Sequence, residues 1–99
     1  MGAISAIALS GVHAASTRMD AAAHNIANAQ TPNFRRERVE LQSQENAGVM
    51  SSVGKASEVG PDLAADLVEQ QAAAYQYKAN LRTIQTEEQM KGSLLDLKA

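Results

Sequence analysis

Two histidines are the side chains of this sequence best suited to acid–base or metal chemistry. His13 and His24 are eleven residues apart, which is close to three turns of a helix, so they would share one helix face. The same spacing separates them by about 16 Å along the axis, too far for both to bind one metal ion. Asp20 stands four residues before His24, a pairing worth only about 0.2–0.5 kcal/mol on a helix surface. The pattern therefore favours solvated or interface histidines and predicts no metal site.

The basic cluster Arg35-Arg36-Glu37-Arg38 is the other concentration of charge. The whole chain has 9 Lys and Arg residues against 11 Asp and Glu residues, a net charge of −2. Three arginines with a glutamate among them, in an acidic chain, indicate ion pairs or an acidic neighbour rather than nucleic acid. We predict no nucleic-acid partner.

Enzymatic chemistry has little support in the sequence. The chain has no cysteine, which excludes disulfides, thiolate catalysis and cysteine–metal sites. No nucleophile has a recognisable base beside it, and no glycine-rich phosphate loop is present. We predict that the protein is not an enzyme and has no cofactor and no small-molecule substrate.

Composition indicates one small domain, residues 1–99, with a thin core. The 99 residues include nineteen alanines, one Phe, two Tyr and no Trp. Alanine side chains bury little area, so an isolated chain would gain little from its core. This composition favours self-association or binding to a partner as part of the fold, and we predict a homo-oligomer.

A long helix is predicted from about residue 4 to residue 30. A seam of residues at heptad spacing, 3-4-3-4-3, is typical of a helix packed along another helix; it consists of Val12, Ala15, Met19, Ala22, Ile26 and Ala29. Gly11 costs roughly 1 kcal/mol in a helix interior, but it also permits close approach of a second helix. Thr31-Pro32 then ends the helix, because proline cannot continue it and disfavours helical geometry in the preceding residue. Asn33 tolerates a left-handed turn.

The connector, about residues 34–60, reads as a β-hairpin or an irregular segment. Loose alternation from Phe34 to Leu41 favours a short strand, and Val49–Val53 could pair with it across an Asn46-Ala47-Gly48 turn. A two-stranded hairpin is marginal alone, so it would need the helices as backing.

A second long helix is predicted from about residue 62 to residue 97, with Asp62 as its N-cap. Its apolar stripe consists of Leu63, Leu67, Ala74, Tyr77, Leu81 and Ile84, and a second, rotated stripe consists of Met90, Leu94 and Leu97. We therefore predict a mainly α fold, in which two long antiparallel helices form a coiled-coil-like hairpin. The second stripe is either an extension of the core or a contact with another molecule.

Four amides, Asn25, Asn28, Gln30 and Asn80, lie near the end of the first helix or midway along the second. They could bridge helices or subunits, or simply cap the first helix.

The run Asn25-Ile26-Ala27-Asn28-Ala29-Gln30-Thr31-Pro32-Asn33-Phe34-Arg35 resembles the N-terminal signature of the bacterial flagellar rod, hook and hook-associated proteins. Upstream, Ser10-Gly11, Ala14-Ala15 and Arg18-Met19-Asp20 fit the same pattern. His24 and Asn33 stand where that family usually has Asn and Gly.

The C-terminal helix is also similar to that family. The matching residues include Tyr77, Ala79-Asn80, Ile84, Thr86, Met90 and Leu94-Leu95. Only about 22 residues join the two signatures, between Arg38 and Pro61, so the chain is most similar to the short proximal rod proteins.

This resemblance implies a structural subunit of the flagellar basal-body rod that self-assembles through its terminal helices and contributes to motility. It implies a periplasmic rod location, export by the type III apparatus without a cleaved signal peptide, and copies of itself and other rod or hook proteins as partners. The residues predicted for the assembly and helix–helix interface are Val12, Met19, Ile26, Asn28, Phe34, Tyr77, Asn80, Leu81, Ile84, Met90, Leu94 and Leu97. The alternative is a stand-alone helical adaptor or export-chaperone-like module derived from the rod family.

Overall fold

The computed structural model describes residues 2–45 and 47–98, with side chains described over residues 4–45 and 47–94. Four elements follow one another: helix α1 (Gly2–Ala27), strand β1 (Arg35–Gln44), strand β2 (Gly48–Val59) and helix α2 (Leu63–Lys98). The helices contain 26 and 36 residues, so the prediction of a mainly α chain with two long helices is confirmed.

The two helices lie side by side and run in opposite directions. Ser5, near the start of α1, contacts Glu87 near the end of α2, whereas Asn25 contacts Asp66 in the first turn of α2. The molecule is correspondingly elongated, with extents of 63 × 24 × 13 Å. One end of the helix pair is closed by the connector and carries Asn25, and we call it the junction. The other end carries Ser5 and Glu87, and we call it the open end.

Local signals set the ends of both helices. α1 ends at Ala27, about three residues before the predicted limit, so Ala29 of the predicted seam lies in the turn. Asn33 has a φ of 59°, which confirms the left-handed turn after Pro32 and is a conformation that Asn tolerates. At the start of α2, the backbone N–H of Ala65 donates to Oδ1 of Asp62 at 3.1 Å, which confirms Asp62 as the N-cap.

The connector is an antiparallel hairpin whose strands are longer than predicted and whose register shifts once, between Arg35 and Glu37. Val39 pairs with Val53 and Leu41 with Ser51, and Gly48 enters the return strand with a φ of 88°. Asn46 of the predicted turn lies outside the described residues. The pairing extends further than side-chain alternation indicated because the ladder is made by backbone groups, which charged residues also possess.

α1 supplies the backing that the hairpin needs. The Ser10 hydroxyl donates to the carbonyl of Ile7 at 2.6 Å and accepts the N–H of Val49 at 3.0 Å. At the junction, Asn25 bonds the backbone of Glu37. The hairpin therefore lies along α1, with its turn towards the open end.

The core is small and consists mostly of alanine. Among the residues with described side chains, the buried apolar ones are Ala8, Val12, Ala14, Ala15, Ala21, Ala22 and Ala73. A buried methyl group contributes roughly 0.8 kcal/mol, against about 1.5–3 kcal/mol for a fully buried Leu or Ile. Close approach of backbones, rather than large side chains, therefore defines this fold.

Neither helix, over the residues described, has the length and apolar character needed to cross a membrane.

Candidate functional site

The face of α1 turned towards α2 is lined by small residues at heptad spacing. Ala8, Gly11, Ala15, Ala22 and Asn25 are all buried along this face. Small side chains allow two helix axes to approach closely, since little volume separates the backbones. This row is the α1 seam of the structure.

The predicted seam is rotated from the observed one. It shares Ala15 and Ala22 with the α1 seam, and Val12 is buried at the edge of the contact. Met19 and Ile26, however, are only half-buried. Their bulk explains the difference, because a line of closest approach excludes side chains of that size.

Gly11 is a point of close approach between the two helices. A Cβ atom at Gly11 would lie 2.6 Å from Nδ2 and 2.8 Å from Cγ of Asn80, which is closer than van der Waals contact. Asn80 also donates from Nδ2 to the carbonyl of Gln76 at 3.1 Å. The amide of Asn80 thus fills the space left by the missing side chain of Gly11.

The opposing face of α2 is largely polar, which the sequence reasoning missed. Asp66, Ala73, Asn80 and Glu87 recur at seven-residue intervals and face α1; Asp66, Ala73 and Glu87 are buried and Asn80 is half-buried. We call this row the α2 seam. An apolar search cannot find it, although its strict heptad spacing was a signal in the sequence.

The apolar stripe of α2, which was predicted as part of the helix–helix interface, consequently does not form the centre of the contact with α1. Leu63, Leu67 and Leu81 are exposed, and Tyr77 and Ile84 are half-buried. The reason is steric and electrostatic together: the alanine-lined α1 seam admits close-packed small groups, and Asn25 and Arg36 at the junction pair with Asp66.

Asn25 joins three elements at the junction. Its Oδ1 accepts the backbone N–H of Glu37 at 2.7 Å, and its Nδ2 donates to the Glu37 carbonyl at 3.0 Å. The same Nδ2 lies 3.4 Å from Oδ1 of Asp66. A buried amide that pairs with both backbone groups of one residue imitates a neighbouring strand, so Asn25 attaches β1 to α1.

Arg36 closes the junction from the hairpin side. Its Nε donates to Oδ1 and Oδ2 of Asp66 at 3.0 and 3.2 Å, and its Nη2 also donates to Oδ1. Asp66 is only 1% exposed, so a guanidinium fork is the partner that a buried carboxylate requires. The hydrogen bond with Asp66 raises the pKa of Arg36 above its ordinary value.

A second arginine links the helices further along the seam. Arg18 donates from Nε to Oε1 of Glu69 at 2.5 Å and from Nη1 to Oε1 of Gln76. Arg18 is mostly covered, while Glu69 remains partly exposed. Neither Arg18 nor Arg36 was predicted to pair with α2, because their partners are remote in sequence.

The predicted interface residues Asn28 and Phe34 lie in and after the turn that follows α1. Asn28 donates to the His24 carbonyl at 2.9 Å and accepts the Thr31 hydroxyl at 3.2 Å, so within the chain it acts as a helix cap. The Phe34 ring centroid lies 5.4 Å from that of His24, and Nζ of Lys55 lies 5.8 Å from it, within range of a cation–π contact.

The predicted residues near the open end face outwards. Met90 and Leu94 are 55% and 53% exposed, and the side chain of Leu97 lies outside the described part of the chain. Several further large apolar residues are exposed on the helices; these are Ile4, Ile7, Leu9, Leu63, Leu67, Val68, Tyr75 and Leu81. An apolar surface of this extent is typical of an interaction site.

Within residues 2–45 and 47–98, no cluster of three His, Asp or Glu residues has the arrangement of a metal site. The junction carboxylate already has arginine and amide partners, so its geometry serves attachment of the hairpin.

Comparison with known proteins agrees with the N-terminal resemblance. A search of curated proteins found no significant match. Residues 6–35 match the model of a family described as flagella basal body rod protein, which confirms the predicted resemblance. This matched segment covers most of α1, the turn that follows α1 and Phe34. It includes Gly11, Arg18 and Asn25, three of the α1 residues that contact polar side chains of α2. The chain therefore carries, at residues 6–35, the signature of the flagellar basal-body rod proteins, a family of structural components and not of enzymes.

Proposed function

We propose that this protein is a structural subunit of the bacterial flagellar basal-body rod that self-assembles through its terminal helices and thereby contributes to motility. The rod family match at residues 6–35 supports a structural role in the basal body. One observation carries the step to self-assembly: the buried apolar residues of the helices are alanines and Val12, whereas most of the large apolar residues of the helices are exposed.

That distribution is the reverse of what a stable independent monomer requires. Leucine, isoleucine and methionine stabilise a fold when they are removed from water, and here they cover the outside of the helix pair. A neighbouring subunit would bury them and supply the stabilisation that the alanine core lacks. In that setting residues 1–99 act as one domain, and the helix pair packs with others in coiled-coil fashion.

Within this proposal the predicted interface residues fall into two groups. Leu81, Ile84, Met90, Leu94 and Leu97 contact neighbouring subunits through α2. The remaining residues hold the subunit in its assembling shape, and these are Val12, Met19, Ile26, Asn28, Phe34, Tyr77 and Asn80. The partners are copies of this chain and other rod or hook proteins, reached in the periplasm after export by the type III apparatus.

Self-association is tested by sedimentation velocity over a range of protein concentrations. Oligomers that grow with concentration are expected for the unaltered chain. Leu67→Ser and Met90→Ser should each weaken them, since both remove an exposed apolar side chain from α2. Val53→Ser is the matched control, because Val53 is exposed to a similar degree (55%) but lies on the hairpin. A chain that stays monomeric at all concentrations contradicts the proposal.

Cell fractionation separates the proposal from the adaptor or export-chaperone alternative. A rod subunit is expected in purified basal bodies, and a strain that lacks it should lose motility. Deletion of residues 90–99 should impair assembly more than it reduces helix content. An adaptor would remain in the cytoplasm bound to a client, and its absence from basal bodies would decide against the rod assignment.

A further inference from the structure

Glu87 is a buried carboxylate that is only half satisfied. It lies on the α2 seam at the open end and is 5% exposed. Its Oε2 accepts the hydroxyl of Ser5, whereas Oε1 has no hydrogen-bond partner among the described residues. A buried charged group without a full set of partners is costly, so this position is completed only when a further donor is supplied.

The carboxylate lies in the wall of an apolar groove. The groove has a volume of about 440 Å³ and is bounded by Ile4 of α1 and by Thr83, Thr86 and Met90 of α2. It continues along α2 past Thr86 and Met90 to Leu94. From Ala79 to Leu94 this path is roughly 22 Å long, the length of four helical turns. The dimensions therefore suit a helix laid into the groove.

The same chain presents a helix face with matching chemistry near the junction. Leu67, Val68, Gln71 and Tyr75 follow one another at the spacings of one helix face, and all are exposed. Val68 and Tyr75 are 68% and 78% exposed. This face, which we call the 67–75 face, has apolar groups for the groove and two donors, the Gln71 amide and the Tyr75 hydroxyl, for Oε1 of Glu87.

We propose that the groove binds the 67–75 face of a second copy of this chain, and that the buried carboxylate of Glu87 turns towards the groove so that a donor from that face reaches Oε1. This inference rests on the self-assembly proposed above and specifies which two surfaces of the subunits meet. Gln71 and Glu87 lie roughly 24 Å apart along α2, so the two surfaces are different parts of one subunit. A contact between unlike surfaces is heterologous and repeats head to tail, which generates a ring or an open filament rather than a two-fold symmetric dimer.

Cysteine cross-linking tests the contact directly, because the chain has no cysteine of its own. Val68→Cys is mixed with Thr86→Cys and oxidised; Thr83→Cys covers a shift of one turn in the groove. Disulfides require Cα atoms within about 7 Å, so the mixture should give linked dimers that neither variant gives alone. In the control mixture, Val68→Cys is combined with Ser52→Cys, which is at an exposed position on the hairpin, in place of Thr86→Cys.

The possible outcomes distinguish this inference from the function on which it rests. Linkage between residue 68 and residue 83 or 86, well above the control, supports the contact. Oligomers with no more linkage than the control overturn the contact and leave self-assembly standing. A monomer at every concentration overturns both.

Glu87 itself is tested with a matched pair of substitutions. Glu87→Ala should lower the association constant about tenfold or more, because a hydrogen bond to a charged group is lost from the interface. Ser5→Ala should leave it within about twofold, because it removes only the partner inside the chain. Glu87→Gln keeps an acceptor oxygen and should restore part of the affinity. Association of Glu87→Ala as strong as that of the unaltered chain, at equal helix content by circular dichroism, overturns the role of Glu87.

Discussion

Each end of the helix pair holds a buried carboxylate, which among the described residues has hydrogen-bond partners on both oxygens at the junction and on one oxygen only at the open end. Asp66 and Glu87 both lie on the α2 seam, three heptads apart, and both are buried. At the junction, Asp66 is bonded by Arg36 from the hairpin and by Asn25 from α1. At the open end, Glu87 has the Ser5 hydroxyl on one oxygen and no described partner on the other.

The difference shows at which end the chain itself supplies all the hydrogen-bond donors that the buried carboxylate needs. The junction brings three elements together, so it can surround a carboxylate with donors from α1 and β1. Among the described residues, only the two helices contact each other at Glu87, so fewer donors are available there. The same helix pair thus carries an internally satisfied end, suited to holding the hairpin, and an unsatisfied end, suited to a contact between copies.

The largest effect is expected from removal of the junction cation. Arg36→Ala leaves Asp66 buried without its ionic partner and should lower the free energy of unfolding by about 3 kcal/mol, the low end for such pairs because Arg36 remains partly exposed. Urea denaturation at a concentration where the chain is monomeric measures this change. Arg38→Ala, two residues along and exposed, should change the free energy by less than about 0.5 kcal/mol. Equal losses in the two variants would contradict the junction assignment.

Neutralising each carboxylate in turn tests the comparison itself. Asp66→Asn weakens the bonds to Arg36 and should cost about 2 kcal/mol in unfolding free energy. Glu87→Gln removes a charge with an unpaired oxygen, so the monomer should be unchanged or slightly more stable. The same urea experiment compares them. A loss for Glu87→Gln as large as that for Asp66→Asn would show that the two ends are equivalent.

The close contact at Gly11 is tested by substitution of that glycine, with Gly92, which lies outside the contact, as the control. Gly11→Ala places a Cβ against Asn80 and should cost about 1–3 kcal/mol, as overpacking does. Gly92→Ala has no neighbouring atom within 4 Å and should stabilise the chain by about 0.5–1 kcal/mol through helix propensity. Thermal unfolding followed by circular dichroism compares them. Pairing Gly11→Ala with Asn80→Ala should recover part of the loss; no recovery would mean that Asn80 is not the obstacle.

The smallest effect is expected in the turn that leads to the junction. Asn33 has a positive φ, so Asn33→Ala should cost about 1 kcal/mol, whereas Asn33→Gly should change stability by less than about 0.5 kcal/mol. Differential scanning calorimetry resolves shifts of this size in a chain of 99 residues. If both variants behave alike, the left-handed turn does not limit the approach of β1 to the junction.

The sequence by itself determined the order of the elements and the local signals that end the helices. Helical periodicity over two long stretches, Thr31-Pro32 as a stop, Asn33 as a left-handed turn and Asp62 as a cap are local signals. They act within a few residues, so they can be interpreted without knowledge of the partner elements. The resemblance to the rod family at residues 6–35 was likewise present in the residue order.

Only the tertiary structure decided which faces meet. The sequence indicated a seam through Val12, Met19 and Ile26 and an apolar stripe on α2, but the observed contact is made by alanines, Gly11 and a polar row. Periodicity identifies a face by its apolar residues, whereas contact depends on how closely two backbones can approach and on which polar groups find partners there. Asp66 is buried because Arg36 and Asn25 reach it from elements distant in sequence, and that encounter exists only in the folded chain.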